Sequence, residues 1–200
     1  MKQIIAPVAD NEDKARTYRE LMSRFNKAVK EEFFFEALLI DYAMVEDRLL
    51  SFLYHCGIQN NRNDIKISKK GRAFLREILP EKNQYLIKDL GRKIEIISAI
   101  LKWECELDHT PEDKYRKALK SQCESLDVLG FQETIALIST WKDYRNEVIH
   151  AALNKNLKCM WKDMAERVDE GMRLARFVDS QVKIVKTGNR VRKAANLPVK

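Results

Sequence analysis

Glycine and proline are scarce, six and four in 200 residues. A many-turned β fold needs both as punctuation, so their scarcity disfavours it and favours long helices. No apolar run approaches the roughly 18 residues that a membrane span requires. The apolar stretch in the N-terminal MKQIIAPVADNEDK is too short for a signal peptide, so the expected compartment is the cytoplasm. The four cysteines, Cys56, Cys105, Cys123 and Cys159, lie far apart without a C-x-x-C pair, which suits reduced thiols used as small hydrophobes. Three histidines, His55, His109 and His150, are dispersed, with no H-E-x-x-H and no acidic cluster at ligand spacing. No metal or other cofactor is expected. Glycine loops of the kinds that cradle phosphates, G-x-x-x-x-G-K-[ST] and G-x-G-x-x-G, are also missing.

What is present is a charged, globular composition. Hydrophobic residues make up 45% and charged residues 34%, too apolar for a disordered chain. The length suffices for a core without covalent staples. The formal charge of +7 is unevenly placed: from Ser180 to Lys200 there are six basic residues and no acid. Removing those six from the 37 basic residues leaves 31 against 30 acids. The body is nearly neutral, and residues 186–200 are expected to form a basic, flexible tail. Such a tail suits a polyanion, with Lys186, Arg190, Arg192 and Lys193 as its candidate nucleic-acid contacts, or it is simply a solvated end.

Periodicity and punctuation predict helices over residues 12–30, 31–56, 72–79, 85–107, 111–129, 131–153 and 157–185. Thr110-Pro111-Glu112-Asp113 is a start signal: a capping hydroxyl, proline in the first turn, then acids. The polar stretch 57–71, including NNRND at 60–64, reads as a connection. In the second helix Leu38, Tyr42, Val45, Leu49, Phe52 and Cys56 share one arc, which Leu39, Ala43 and Leu50 widen. A helix so apolar belongs at the centre of a bundle or in a dimer interface. The expected architecture is an all-α bundle with long core helices, one domain over 1–185, with 1–30 as an N-terminal helix or extension.

WKDYRNEVIH, Trp141 to His150, raises a chemical question. On a wheel of about 100° per residue with Ile138 at zero, Ile135, Trp141, Ile149, Ala152 and Leu153 fall within about 60°. Arg145 lies about 20° from the middle of that stripe. Asn146 and His150 sit on one shoulder as an i, i+4 pair. A guanidinium there needs an acid, Glu46 or Asp41 by wheel geometry, or an opening that admits a phosphate. Arginine recognises phosphate oxygens, histidine transfers protons near neutral pH, and asparagine can orient either partner. Together the three suggest phosphate chemistry.

Arg145-Asn146-x-x-x-His150 resembles the R-x4-6-H motif of the HEPN superfamily, in its form with asparagine directly after arginine. The likeness extends to a helical bundle of this size, with the motif in a late core helix and an earlier apolar helix flanked by acids. The resemblance implies a HEPN-like homodimer acting as a metal-independent endoribonuclease on single-stranded RNA, as a toxin, antiviral-defence effector or RNA-processing enzyme. It would place Arg145 on the phosphate, His150 in proton transfer, and Asn146 beside the imidazole or ribose, with Glu46 or Asp41 holding Arg145. An antitoxin or nucleotidyltransferase-like partner is also implied. Two other readings stay open: a catalytically silent HEPN module that binds RNA, a nucleotide or such a partner, and a helical adaptor whose Arg145 is merely salt-bridged.

Overall fold

Short polar side chains set where four of the helices begin. A computed structural model describes residues 11–61, 65–80, 86–106, 111–152 and 157–199. These contain α1 (Asn11–Lys30), α2 (Phe34–His55), α3 (Lys69–Ile78), α4 (Leu90–Glu106), α5 (Lys114–Cys123), α6 (Val128–Ala151), α7 (Leu157–Lys186) and α8 (Arg190–Ala194). Ser68 Oγ accepts from the Gly71 amide, so α3 starts three residues earlier than its apolar pattern suggests. Asp89 Oδ1 accepts from Arg92 N, and Asp127 Oδ1 from Gly130 N. α6 therefore starts before its glycine, where residue 131 was expected. Asp113 caps α5 through the amides of Tyr115 and Arg116; Thr110, the expected cap, lies outside the described residues. Each such cap contributes about 1 kcal/mol.

The chain is all-helical, with no strand among the described residues; two isolated bridges, Gln59 to Ile67 and Lys66 to Leu86, fasten the connection around α3. No described helix is long and apolar enough to cross a membrane. α2 is the centre. Leu38, Val45, Leu49, Phe52 and Leu53 are completely buried, each worth about 1.5–3 kcal/mol. α7 runs parallel to α2: Asp41 lies beside Gly171, and Arg48 Nε reaches Asp179 at 3.1 Å. α6 runs antiparallel to both. Phe131 meets Phe52 edge-on with centroids 5.0 Å apart, and Trp141 Nε1 donates to Arg167 O at 2.8 Å. α1 lies along the same surface, with Lys14 on Asp47 at 2.6 Å and Arg48 over the Tyr18 ring. α4 is tied to α2 by Lys93 on Glu46 at 2.7 Å.

The expected basic tail is corrected by the structure. α7 ends at Lys186, the chain reverses through Gly188 (φ +64°) and Asn189 (φ +50°), and α8 docks against the end of α2. A left-handed conformation is cheap for glycine and tolerated by asparagine. Val191 and Ala195 enter the core. Arg192, expected among the nucleic-acid contacts, is fully buried. Its guanidinium lies over the Tyr54 ring and donates to the carbonyls of Tyr54, Gln59, Asn60 and Pro198 at 2.6–2.9 Å. The Tyr54 carbonyl in the last turn of α2, which also accepts from Gly57 N at 3.0 Å, lies at the negative end of the helix dipole and attracts it.

Candidate functional site

α6 buries Phe131, Thr134, Ile135, Ile138, Trp141, Val148 and Ala151. Arg145 continues that stripe, one turn after Trp141, and is half-buried. Over the last two turns the buried arc rotates away from the shoulder carrying Asn146 and His150. Ile149 and Ala152, expected inside, are only half-buried, and Val148 takes the core position; Leu153 lies outside the described residues. Trp141 anchors this end of the helix. A Cβ on Gly171 would come within 2.7 Å of Trp141 Cζ2, so the indole sits directly on the backbone of α7. The indole also stacks on Tyr42, centroids 6.4 Å apart and planes inclined by 19°.

The same tyrosine carries the guanidinium. Arg145 Cζ lies 3.9 Å above the centroid of the Tyr42 ring, within the range where a cation is attracted by the ring's negative face. Arg145 Nη1 donates to Asn146 Oδ1 at 3.0 Å, while its Nε is buried and has no hydrogen-bond partner among the described residues. No described carboxylate forms an ion pair with it. Burial and Glu46 push the Tyr42 phenol up, Arg145 pulls it down and Asp89 pushes it up, for a net rise. These charges therefore share one neighbourhood. Tyr42, assigned from the sequence to the apolar arc, is instead the half-buried platform of the site. The signal that could have marked it is an aromatic four residues before Glu46 on the helix expected to face Arg145.

Neither acid expected to hold Arg145 does so. Glu46 is taken by Lys93 at 2.7 Å, from a helix that the wheel of α2 alone does not bring into view. Asp41 points the other way, into the seam with α7. An added Cβ at Gly171 would lie 3.0 Å from its Oδ2. Asp41 is completely buried, and neither oxygen has a hydrogen-bond partner among the described residues. Burial, with Asp169 adding and Arg176 opposing, raises its pKa to about 8. It is mostly protonated at neutral pH and cannot serve as a counter-ion.

That burial carries a prediction. Below the unfolded value of about 3.9 both states of the chain hold the Asp41 proton; between there and about 8 only the folded state does. Stability contributed by the protonated acid is thus fully present below about pH 4 and is lost as pH rises to about 8, at no more than about 1.4 kcal/mol per pH unit. Urea unfolding should show wild type weakening from pH 5 to 8, and Asp41→Asn should remove that slope. Identical pH profiles for the two chains would contradict the assignment.

His150 is exposed and makes no hydrogen bond with a described residue. It lies one turn beyond Asn146, as the i, i+4 spacing requires. Asn146 is half-buried, and its amide nitrogen has no partner among the described residues. Lys186, Arg190 and Lys193 are exposed at the far end of α2, away from Arg145. The site is thus an aromatic-backed guanidinium, an adjacent carboxamide and an imidazole on the solvent side. That set can hold an anionic oxygen and move a proton. No family model matches the chain, and neither a curated protein nor a solved structure is found to be similar to it.

Proposed function

We propose that the protein is a HEPN-type endoribonuclease that cleaves single-stranded RNA without a metal, as a homodimer. The observation that carries this reading is Arg145: a guanidinium at the margin of the core, without a carboxylate among the described residues, held flat by Tyr42 with its Nε unpartnered. A merely structural arginine at this depth is normally paired. A half-buried guanidinium whose only described side-chain partners are a carboxamide and a ring face is suited to phosphate oxygens, which match its planar donors.

The chemistry follows from these groups. A base removes the proton of the ribose 2′-hydroxyl, the 2′-oxygen attacks phosphorus, and the P–O5′ bond breaks as an acid protonates the leaving oxygen. Arg145 would bear on the charge of the crowded phosphorane, and His150 would move a proton. One chain offers one such imidazole in the motif, so base and acid come from two copies related by a two-fold axis. The exposed Phe35 and Leu39 on α2, with Phe33 just before it, offer an apolar surface for that second copy. A silent RNA-binding module is the second reading, favoured by the absence of a described hydrogen bond orienting His150.

Cleavage of single-stranded RNA in EDTA, with 2′,3′-cyclic phosphate and 5′-hydroxyl ends, is the expected result. His150→Ala should slow it by about 10²–10⁴-fold. Unaltered cleavage by that variant would refute the ribonuclease reading, and a wild-type chain that binds RNA without cutting it would establish the silent one.

A further inference from the structure

Three helices meet at the turn that follows α2. Gly57 (φ +74°) sits against Tyr115 of α5, Val191 of α8 and Leu197. Its carbonyl accepts from Ser68 Oγ, the cap of α3, and Ile58 packs against Gly71. The residues flanking these contacts are cations. Lys69 and Lys70 adjoin Ser68 and Gly71, Lys114 and Lys117 flank the buried Tyr115 in sequence, and Arg190 and Lys193 flank Val191 and Arg192. All six are exposed, and none makes an ion pair among the described residues. The nearby acids Glu77 and Asp113 are both held by Arg116. Glu112 and Glu124 at the margin reduce the positive charge without cancelling it.

We propose that this pole is a preformed binding surface for the phosphate backbone of RNA, built by Lys69, Lys70, Lys114, Lys117, Arg190 and Lys193. The choice of RNA as the polyanion rests on the ribonuclease reading; the surface itself does not. The buried Arg192 and its carbonyl bonds fix α8 in place, so the cations are presented without the ordering cost of a disordered tail. A membrane surface is the less suitable partner. α3, α5 and α8 expose no large apolar side chain, and only Ile65 and Val199 are exposed in the segments next to them, whereas interfacial helices insert a whole face of such residues. The pole lies about 20 Å along α2 from Tyr42 at 1.5 Å per residue, a distance that one RNA strand can bridge to Arg145.

The test is fluorescence anisotropy with labelled polyuridine, carried out in a His150→Ala background so that the probe stays whole. The combined variant Lys70→Gln, Lys117→Gln, Arg190→Gln and Lys193→Gln should bind about tenfold or more weakly, and its log K against log salt should be shallower by about 3. The thermal melt should stay near that of the parent, because all four side chains are exposed. A control variant, Arg24→Gln, Lys27→Gln, Arg173→Gln and Arg176→Gln, removes the same charge elsewhere and should leave the slope unchanged. Unchanged binding in the pole variant overturns the proposal, as does an equal loss in the control. So does a chain whose phosphatidylserine-vesicle binding, and not its RNA binding, depends on the pole. If RNA binding depends on the pole but wild type never cleaves RNA, the surface stands and the ribonuclease reading falls.

Discussion

Arg192→Met is expected to cost the folded chain about 3–5 kcal/mol, which for a chain of this size lowers the melting temperature by about 10 °C. The substitution keeps most of the side chain's length and apolar stem while deleting every donor. Four backbone carbonyls, on Tyr54, Gln59, Asn60 and Pro198, then lose a charged partner. The Tyr54 and Pro198 carbonyls keep a second donor, Gly57 N and the Tyr54 hydroxyl; a buried acceptor left unsatisfied costs about 1–3 kcal/mol, and the loss of charge-assisted bonds adds to it. The face of Tyr54 also loses its cation, 3.6 Å from the ring centroid. Arg192→Lys should recover less than half of the loss, because one ammonium cannot reproduce a planar fork aimed at carbonyls on three sides. Chemical unfolding measures both variants. A change below about 1 kcal/mol, the value normal for an exposed residue, would mean that α8 does not dock as described.

The second large effect is on turnover. Arg145→Ala is expected to slow RNA cleavage by about 10²–10³-fold, the usual cost of removing one donor to a developing oxyanion. The loss should fall mainly on kcat, because the phosphorane carries more charge on its oxygens than the ground-state phosphodiester. Arg145→Lys should not restore the rate. An ammonium can sit over Tyr42 but cannot face two phosphate oxygens at once. Tyr42→Leu should reduce kcat by removing the platform, whereas Tyr42→Phe should change little, since the ring face and not the hydroxyl contacts the guanidinium. Single-turnover assays separate these steps. A wild-type rate in Arg145→Ala would remove the guanidinium from the chemistry.

Much of this molecule was legible before its fold. Helix positions follow from periods and caps that span four residues or fewer, so seven of the eight described helices were anticipated. The unusual location of Arg145 was equally plain, because a stripe at i, i+3, i+4 needs no neighbour to be recognised. α8 is not legible in the sequence, because its five residues are too few for a period and its charges resemble those of a solvated end. The partners of Arg145 are not legible for another reason. The wheel of α2 puts Glu46 and Asp41 on the flanks of an apolar arc, but it carries no information about axial offset or rotation between helices. Those are set by packing: Trp141 seated on Gly171 fixes α6 against α7, and Lys93 reaches Glu46 from α4. The sequence by itself therefore determined the helices and the presence of a cation in their seam. Only the tertiary structure decided that an aromatic ring, and neither Glu46 nor Asp41, would meet that cation, because side chains on different helices meet only after the whole core has settled how those helices cross.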